Sequence, residues 1–438
     1  MKSSLRRAVW IAAYAVVLLA PIGIMVLAPR PTGRQFWRDA AVGLGYLGFA
    51  LMGFQWVPTG RLPFLTDTFA LDGIYRVHHN LSRAAFFLVL AHPILLIVQN
   101  PYNFVALNLL GAPWSLRAGV LAFIALLGLV VTSIWRQWLK MSYEAWRILH
   151  NIFTVAVLGF AFYHIFRVNY FTSHPVQRIL WVINLVVWAA MLLYIRLIKP
   201  LRLLKVPYKI TEILPERGNT WTMVLEPVGH GGMDFKAGQV AWPSVGHAPF
   251  FISEHPFSFA SPEGHPTRIQ FAIRELGDWT SQVGTFEIGT PVYIDGPYGI
   301  FDMEDHPGEG YTFIAGGIGS APVMSMLRTM AEHDDQQPVT FFYGNRKWEG
   351  VTFREELDEL QEKLNLKVVH VLENPPEGWE GETGYITPDV LARHLDRDCT
   401  KCVYFICGPL PMIKIVSKGL KQLGVSMRQV HSEQYDMA

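Results

Sequence analysis

Within the first 200 residues lie six stretches that are long, apolar and uncharged at their centres: 8–28, 40–57, 84–98, 118–135, 148–166 and 179–195. Crossing a hydrocarbon layer of ~30 Å takes about 20 helical residues, and several of the stretches approach that length. The first half is therefore expected to be a six-helix transmembrane bundle. Charge divides the chain at the same place. Up to Pro200 there are 17 Lys and Arg against 4 Asp and Glu, and after it 20 against 32. A basic, apolar half and an acidic half are two chemically different proteins in one chain.

Lys2, Arg6 and Arg7 precede the first stretch, which is longer than the apolar core of a signal peptide and is followed by five more, so it reads as a retained span. In a six-span arrangement these residues share a side with Arg61, Arg76, Arg136, Lys140, Arg147 and Lys199, while Arg30, Arg34 and Arg38 lie opposite. The excess places both termini in the cytosol. An integral protein of the plasma (inner) membrane is expected, with the lipid bilayer as its first partner.

Four histidines carry the chemistry of this half. His78 and His92 flank the third stretch and His150 and His164 the fifth, each pair fourteen positions apart. Fourteen residues of α-helix turn through about 1400°, ~40° short of four turns, and rise about 21 Å. Each pair therefore lines one helix face at two depths. Two such helices side by side offer two bis-imidazole sites, the arrangement that holds two stacked b-type haems, with both axial positions filled for electron transfer. Any one of these histidines alone reads equally well as an interhelical hydrogen-bonding residue; the repeated spacing favours haem iron. His79 lies thirteen residues from His92 and faces elsewhere, so His78 is preferred. The inner pair is His78/His150 and the outer His92/His164. Arg83 and Arg147 are placed either to neutralise haem propionates or to snorkel to the interface.

Beyond Arg202 the pattern changes to short alternating runs separated by Gly and Pro, which read as a small β-barrel to about Gly299. From Tyr311 the order is strand, glycine turn, helix, then strands at 339–343, 367–372 and 403–407 with helical stretches between, the alternation of a parallel α/β sheet. Domains are accordingly expected at 1–200, 201–304 and 305–438. The three cysteines, Cys399, Cys402 and Cys407, all fall here and are expected to be reduced thiols rather than a disulfide framework. Cys399 and Cys402 lack a second ligand pair and are assigned no metal.

His255-Pro256-Phe257-Ser258, Gly277-Asp278-Trp279-Thr280, Asp295-Gly-Pro-Tyr-Gly, Gly316-Gly317-Ile-Gly319-Ser320-Ala-Pro322 and Cys407-Gly408-Pro409 stand in the order seen in ferredoxin-reductase-like flavoproteins. A glycine turn alone is weak, since tight turns need glycine for steric reasons; the ordered set is specific. With the histidine pairs, essentially the whole chain resembles the NADPH oxidase and ferric reductase superfamily, and in particular its compact prokaryotic NADPH oxidases. The resemblance implies that residues 255–258 lie along FAD and that Arg274 and the segment Gly277 to Thr280 hold its pyrophosphate, the latter through a helix N-terminus. It implies that Gly316, Gly317, Gly319, Ser320 and Pro322 receive the NAD(P)H pyrophosphate, with Cys407, Gly408 and Pro409 beside the nicotinamide. Arg346, next to Lys347, follows the second strand of the sheet, where a cation meets a 2′-phosphate, which favours NADPH over NADH. The tail from His431 resembles the family's closing segment. Glu433 and Tyr435 join Cys407 as candidates at the reacting end, with Tyr435 shielding the flavin.

The implied activity is that of an oxidoreductase passing electrons from NAD(P)H through FAD and two haems to an acceptor outside. Three acceptors remain open: O2 giving superoxide, a ferric or cupric chelate, and a partner protein or quinone. Neither a nucleic-acid partner nor a regulatory subunit is indicated, and no calcium-binding loop occurs in the sequence.

Overall fold

The computed structural model describes residues 2–27, 35–251, 254–395, 399 and 401–434. Contacts divide the chain into two units, Met1–Thr68 with Gly73–Lys199, and Phe69–Asp72 with Pro200–Ala438. Arg30, Arg34 and Tyr435 lie outside the described residues.

In the first unit the helices run in the order α1 (Lys2–Leu27), α2 (Phe36–Gly53), the short α3 (Trp56–Thr59) and α4 (Pro63–Thr66), α5 (Leu71–Gln99), α6 (Trp114–Ile134), α7 (Tyr143–Val168), α8 (Pro175–Leu193) and, after a π-helical turn at Tyr194–Ile198, α9 (Lys199–Leu203). Six helical spans among the described residues are long and apolar enough to cross a bilayer; the chain is an integral membrane protein. Local chemistry sets the ends. The Ser142 hydroxyl accepts from the Ala145 amide to start α7, and Asn169 closes that helix in the left-handed conformation at φ 53°, a stop that Asn tolerates. Pro175 opens α8, where its missing N–H costs nothing.

The third span corrects the sequence reading. α5 begins at Leu71, thirteen residues before the apolar stretch, so His78 lies two turns inside the helix rather than opening it. Polarity marks where lipid ends, but backbone hydrogen bonding continues through Asp72, Arg76 and Asn80 regardless of side-chain polarity. The bundle's interior is aromatic. Trp181 and Trp188 of α8 are fully buried against Tyr46 and Phe49 of α2 and Phe162 of α7. Gly53 makes room, since a Cβ there would stand 2.1 Å from the Trp188 indole.

In the second unit β1 (Tyr208–Glu216), β2 (Thr220–Pro227), β3 (Val240–Val245), β4 (Phe257–Ser258), β5 (Ile269–Arg274) and β6 (Pro291–Tyr298) form an antiparallel sheet in the order β4-β3-β6-β1-β2-β5. A bridge from Phe259, just past β4, to Phe271 of β5 joins the two ends, and the sheet closes into the expected barrel. The β1–β2 hairpin turns on Gly218 at φ 74° and Asn219 at φ 54°, left-handed positions that Gly and Asn accept with least strain.

The α/β part follows: β7 (Tyr311–Gly316), α10 (Ser320–Glu332), β8 (Val339–Asn345), α11 (Arg354–Lys363), β9 (Leu366–Leu372), β10 (Glu382–Thr383), α12 (Pro388–His394), β11 (Val403–Gly408), α13 (Leu410–Gln422) and β12 (Val430–Gln434). All six strands are parallel, in the order β10-β9-β8-β7-β11-β12. Phe313, Phe341 and Phe405, on three neighbouring strands, are fully buried; truncating any one to Ala would cost about 3–5 kcal/mol. Cys399 and Cys402, expected as free thiols, are joined by a disulfide with Cα atoms 5.4 Å apart, a spacing that a C-x-x-C turn provides. The bridge ties one turn to itself and connects no two elements of the sheet.

Candidate functional site

α5 carries His78 and His92, α7 carries His150 and His164, and the two helices present them in register. The His78 and His150 rings lie 6.5 Å apart between centroids, and His92 and His164 6.4 Å apart. His79 is exposed, although its ring lies 5.8 Å from that of His78. Two imidazoles on opposite sides of one metal, with metal–nitrogen bonds of about 2 Å, have ring centres roughly 6 Å apart, so both gaps suit a single ion. Among the described residues no cluster of three or more His, Cys, Asp or Glu is placed to hold a bare ion. A two-histidine site therefore fits a metal that brings its own equatorial donors, as haem iron does.

Hydrogen bonds to the far side of each ring make the same point. His92 Nδ1 donates to the Ala41 carbonyl at 2.8 Å and His164 Nδ1 to the Ser115 carbonyl at 2.6 Å. His78 Nδ1 donates to Gln55 Oε1 at 2.8 Å; the amide is oriented by its Nε2, which donates to the Leu51 carbonyl. His150 Nδ1 donates to Ser133 Oγ at 3.2 Å, and the Ser133 proton is committed to the Leu129 carbonyl. A carbonyl oxygen can only accept, and the Ser133 oxygen accepts because its proton is turned to Leu129, so each Nδ1 carries its proton and each Nε2 keeps its lone pair. This is the tautomer a metal requires, fixed by the partner that metal-bound histidines characteristically have. α2 and α6 also supply space: a Cβ at Gly45 would stand 3.1 Å from the His92 ring, and one at Gly119 would stand 2.8 Å from His164 Nδ1.

The spacing of fourteen pointed to the histidines but not to Gln55, Ser133, Gly45 or Gly119. The signal available was a polar residue or glycine inside an apolar span. Arg147 lies with its guanidinium 5.4 Å over the Tyr143 ring, and Arg83 is exposed on α5.

In the second unit the parallel sheet reverses its strand order between β7 and β11, and a crevice at the carboxyl ends of strands at such a switch point is where open α/β sheets bind ligands. The glycine turn Gly316, Gly317 and Gly319 leaves β7 there, and Cys407, Gly408 and Pro409 leave β11 beside it. The two segments touch through backbone: a Cβ at Gly319 would lie 2.3 Å from the Cys407 carbonyl oxygen. Gly317 has φ 54°, and a Cβ on it would lie 3.0 Å from the Arg274 guanidinium, so the barrel's cation sits over the glycine turn. Ser320 is fully buried and accepts from the Tyr343 hydroxyl at 3.0 Å, while Pro322 lies buried in the first turn of α10. Arg346 is exposed just past β8.

The barrel gathers the other motifs. The Trp279 ring lies 4.7 Å from that of His255 and stacks 5.6 Å from Phe257, so segments 22 residues apart form one aromatic wall, next to Pro256 and Ser258. The segment Gly277 to Thr280 departs from expectation. It leads into a six-residue 3₁₀ turn, Thr280–Thr285, and the Thr280 hydroxyl accepts from the Leu276 and Gly277 amides. Those two donors are spent locally, because a threonine four and three residues on competes for them; Asp278 is exposed.

Cys407 pairs across the sheet with Glu433 of β12, and both are buried, at 1% and 5% exposure. Burial pushes the Glu433 carboxyl from 4.5 up to about 8 and raises the Cys407 thiol well above its usual value, so both hold their protons at neutral pH. The folded state then binds a proton that the unfolded chain releases between pH 4.5 and 8. Stability is full below that window and falls by up to about 1.4 kcal/mol per pH unit as pH rises through it. Thermal unfolding of the purified protein between pH 5.5 and 8.5 is expected to show this decline, and Glu433→Gln is expected to flatten it. An unchanged slope in the variant would assign the effect to other groups.

Comparison with known proteins agrees with both halves. Residues 44–161 match the family described as ferric reductase like transmembrane component, and residues 313–418 match the oxidoreductase NAD-binding domain. NADH-cytochrome b5 reductase 1 of Lodderomyces elongisporus is 30% identical over 172 residues, 39% of this chain and 57% of that protein. The reductase component of propane 2-monooxygenase from Mycolicibacterium smegmatis is 28% identical over 214 residues, 47% of this chain and 60% of that one. The chain thus spans little more than half the length of the curated relatives it matches. A flavohemoglobin from Malassezia yamatoensis aligns over 91% of this chain and 96% of its own at 18% identity and a TM-score of 0.49. A ferric-reductase-like transmembrane component and an oxidoreductase NAD-binding domain are thus joined in one chain.

Proposed function

We infer, for a chain that belongs to the NADPH oxidase and ferric reductase superfamily, that it carries electrons from cytosolic NAD(P)H across the bilayer to oxygen, releasing superoxide. What supports this above all is the pair of facing histidines repeated at two depths of the same two helices, in one chain with an NAD-binding module. FAD would supply the conversion of a two-electron donor into single-electron steps, and a b-type haem held by each histidine pair would supply one-electron transfer.

The residues divide the remaining work. His78 and His150 hold the inner haem, His92 and His164 the outer. His255, Phe257 and Trp279 form the wall along FAD, and Arg274 neutralises its pyrophosphate. The glycine turn admits the NAD(P)H pyrophosphate, Arg346 with Lys347 favours a 2′-phosphate, and Cys407 and Glu433, both protonated, keep net charge away from the nicotinamide. Arg6, Arg7, Arg136 and Lys140 favour a cytosolic reductase side, in what we take to be the plasma (inner) membrane. With both histidines of the outer pair committed to the group they would hold, a small diffusible acceptor suits this site.

A ferric chelate is the second reading, favoured by the match over residues 44–161. Purified protein supplied with FAD and NADPH is expected to reduce cytochrome c in air in a superoxide-dismutase-sensitive way. Dismutase-insensitive reduction, with ferric chelate reduced under anaerobic conditions, would favour iron. Failure with both would point to a protein or quinone partner.

A further inference from the structure

The two histidine levels differ in what receives their Nδ1 protons. At the His92/His164 level both acceptors are backbone carbonyls, at 2.8 and 2.6 Å. At the His78/His150 level both are side chains, and the Ser133 oxygen is shared. It accepts from His150 Nδ1 at 3.2 Å and from Trp146 Nε1 at 3.3 Å while donating to the Leu129 carbonyl at 2.7 Å. An imidazole whose Nδ1–H is held by an acceptor is a more basic ligand, which stabilises the oxidised metal and lowers its reduction potential. The stronger the acceptor, the lower the potential.

We propose that Ser133 is a positioning residue that sets the reduction potential of the metal group held by His78 and His150, acting through His150 Nδ1, while the other level is fixed by backbone and lies outside its reach. This rests on the haem reading above. A backbone carbonyl cannot be exchanged by substitution, whereas a serine hydroxyl can be removed, weakened or moved. The potential gap between the two levels is thus adjustable at one residue of α6. The net value of one such bond corresponds to roughly a fivefold change in the reduction equilibrium, on a scale where tenfold is about 59 mV for one electron.

The test is a spectroscopic redox titration of the purified holoprotein and of Ser133→Ala, Ser133→Cys and Ser133→Thr. Ser133→Ala is expected to keep both haems and to raise one of two midpoints by the equivalent of about fivefold, leaving the other in place. Ser133→Thr, which restores a hydroxyl, is expected to return it. Should Ser133→Ala lose haem, Ser133→Cys, a weaker acceptor in the same position, is expected to raise the same midpoint by less. Haem retained with both midpoints unmoved in the variants overturns the role of Ser133 and leaves the haem reading standing. A wild-type protein without bis-imidazole haem overturns both.

Discussion

His92→Ala is expected to halve the haem content of the protein and to slow electron delivery to the external acceptor by at least about a hundredfold, since removing a ligand outright exceeds the 10–100-fold that outer partners carry. His92 and His164 face one another across a 6.4 Å gap, so His164→Ala is expected to give the same result. His79→Ala is the control. Its ring is exposed beside His78, and haem content is expected to stay unchanged. Pyridine haemochrome quantitation of the three variants checks this, and equal haem loss in His79→Ala and His92→Ala would contradict the assignment.

The second large effect lies in the other unit. Gly319→Ala places a Cβ 2.3 Å from the Cys407 carbonyl oxygen. Both partners are backbone, so no side chain can swing aside, and the glycine turn and the end of β11 must separate by several tenths of an ångström. Overpacking of this kind costs about 1–3 kcal/mol, which converts to roughly a 5- to 150-fold loss of productive NAD(P)H binding. Stopped-flow flavin reduction by NADPH is expected to fall by that factor while the dithionite-reduced haem spectrum stays as in the wild type. Flavin reduction within twofold of wild type would mean that the dinucleotide does not use this turn.

These two substitutions mark how far sequence reasoning reached. The histidine spacing could be read because an α-helix has a fixed rotation per residue, and the strand order from Tyr311 because parallel sheets alternate with helices. The partners of His92 and His164 could not, because they are the carbonyls of Ala41 and Ser115, 51 and 49 positions away, and a backbone acceptor leaves no trace in side-chain identity. Gly45 and Gly119 were hidden for a related reason: glycine in a membrane helix is common, and only packing shows which ones face a ring. The start of α5 was misplaced because hydropathy reports the solvent around a helix rather than its hydrogen bonding. The helix expected after Gly277 is a six-residue 3₁₀ turn, and the Thr280 hydroxyl takes up the two amides that precede it, a local competition that spacing does not reveal.

The two halves also differ in how their chemistry is held. The NAD-binding crevice is made by backbone approach at a strand switch point, where Gly319 and Cys407 are interdependent. The histidine sites are made by side chains on two helices, α5 and α7, braced by α2 and α6. A substitution in one half is therefore expected to leave the other half's spectroscopic signature intact, which makes the electron path separable step by step.

The most direct test is the anaerobic absorbance spectrum of the detergent-purified, FAD-supplemented protein before and after NADPH. Low-spin bis-imidazole haem at two per chain, reduced on adding NADPH and reoxidised on admitting air, is the expected result. A protein that folds and reduces its flavin but binds no haem would contradict it.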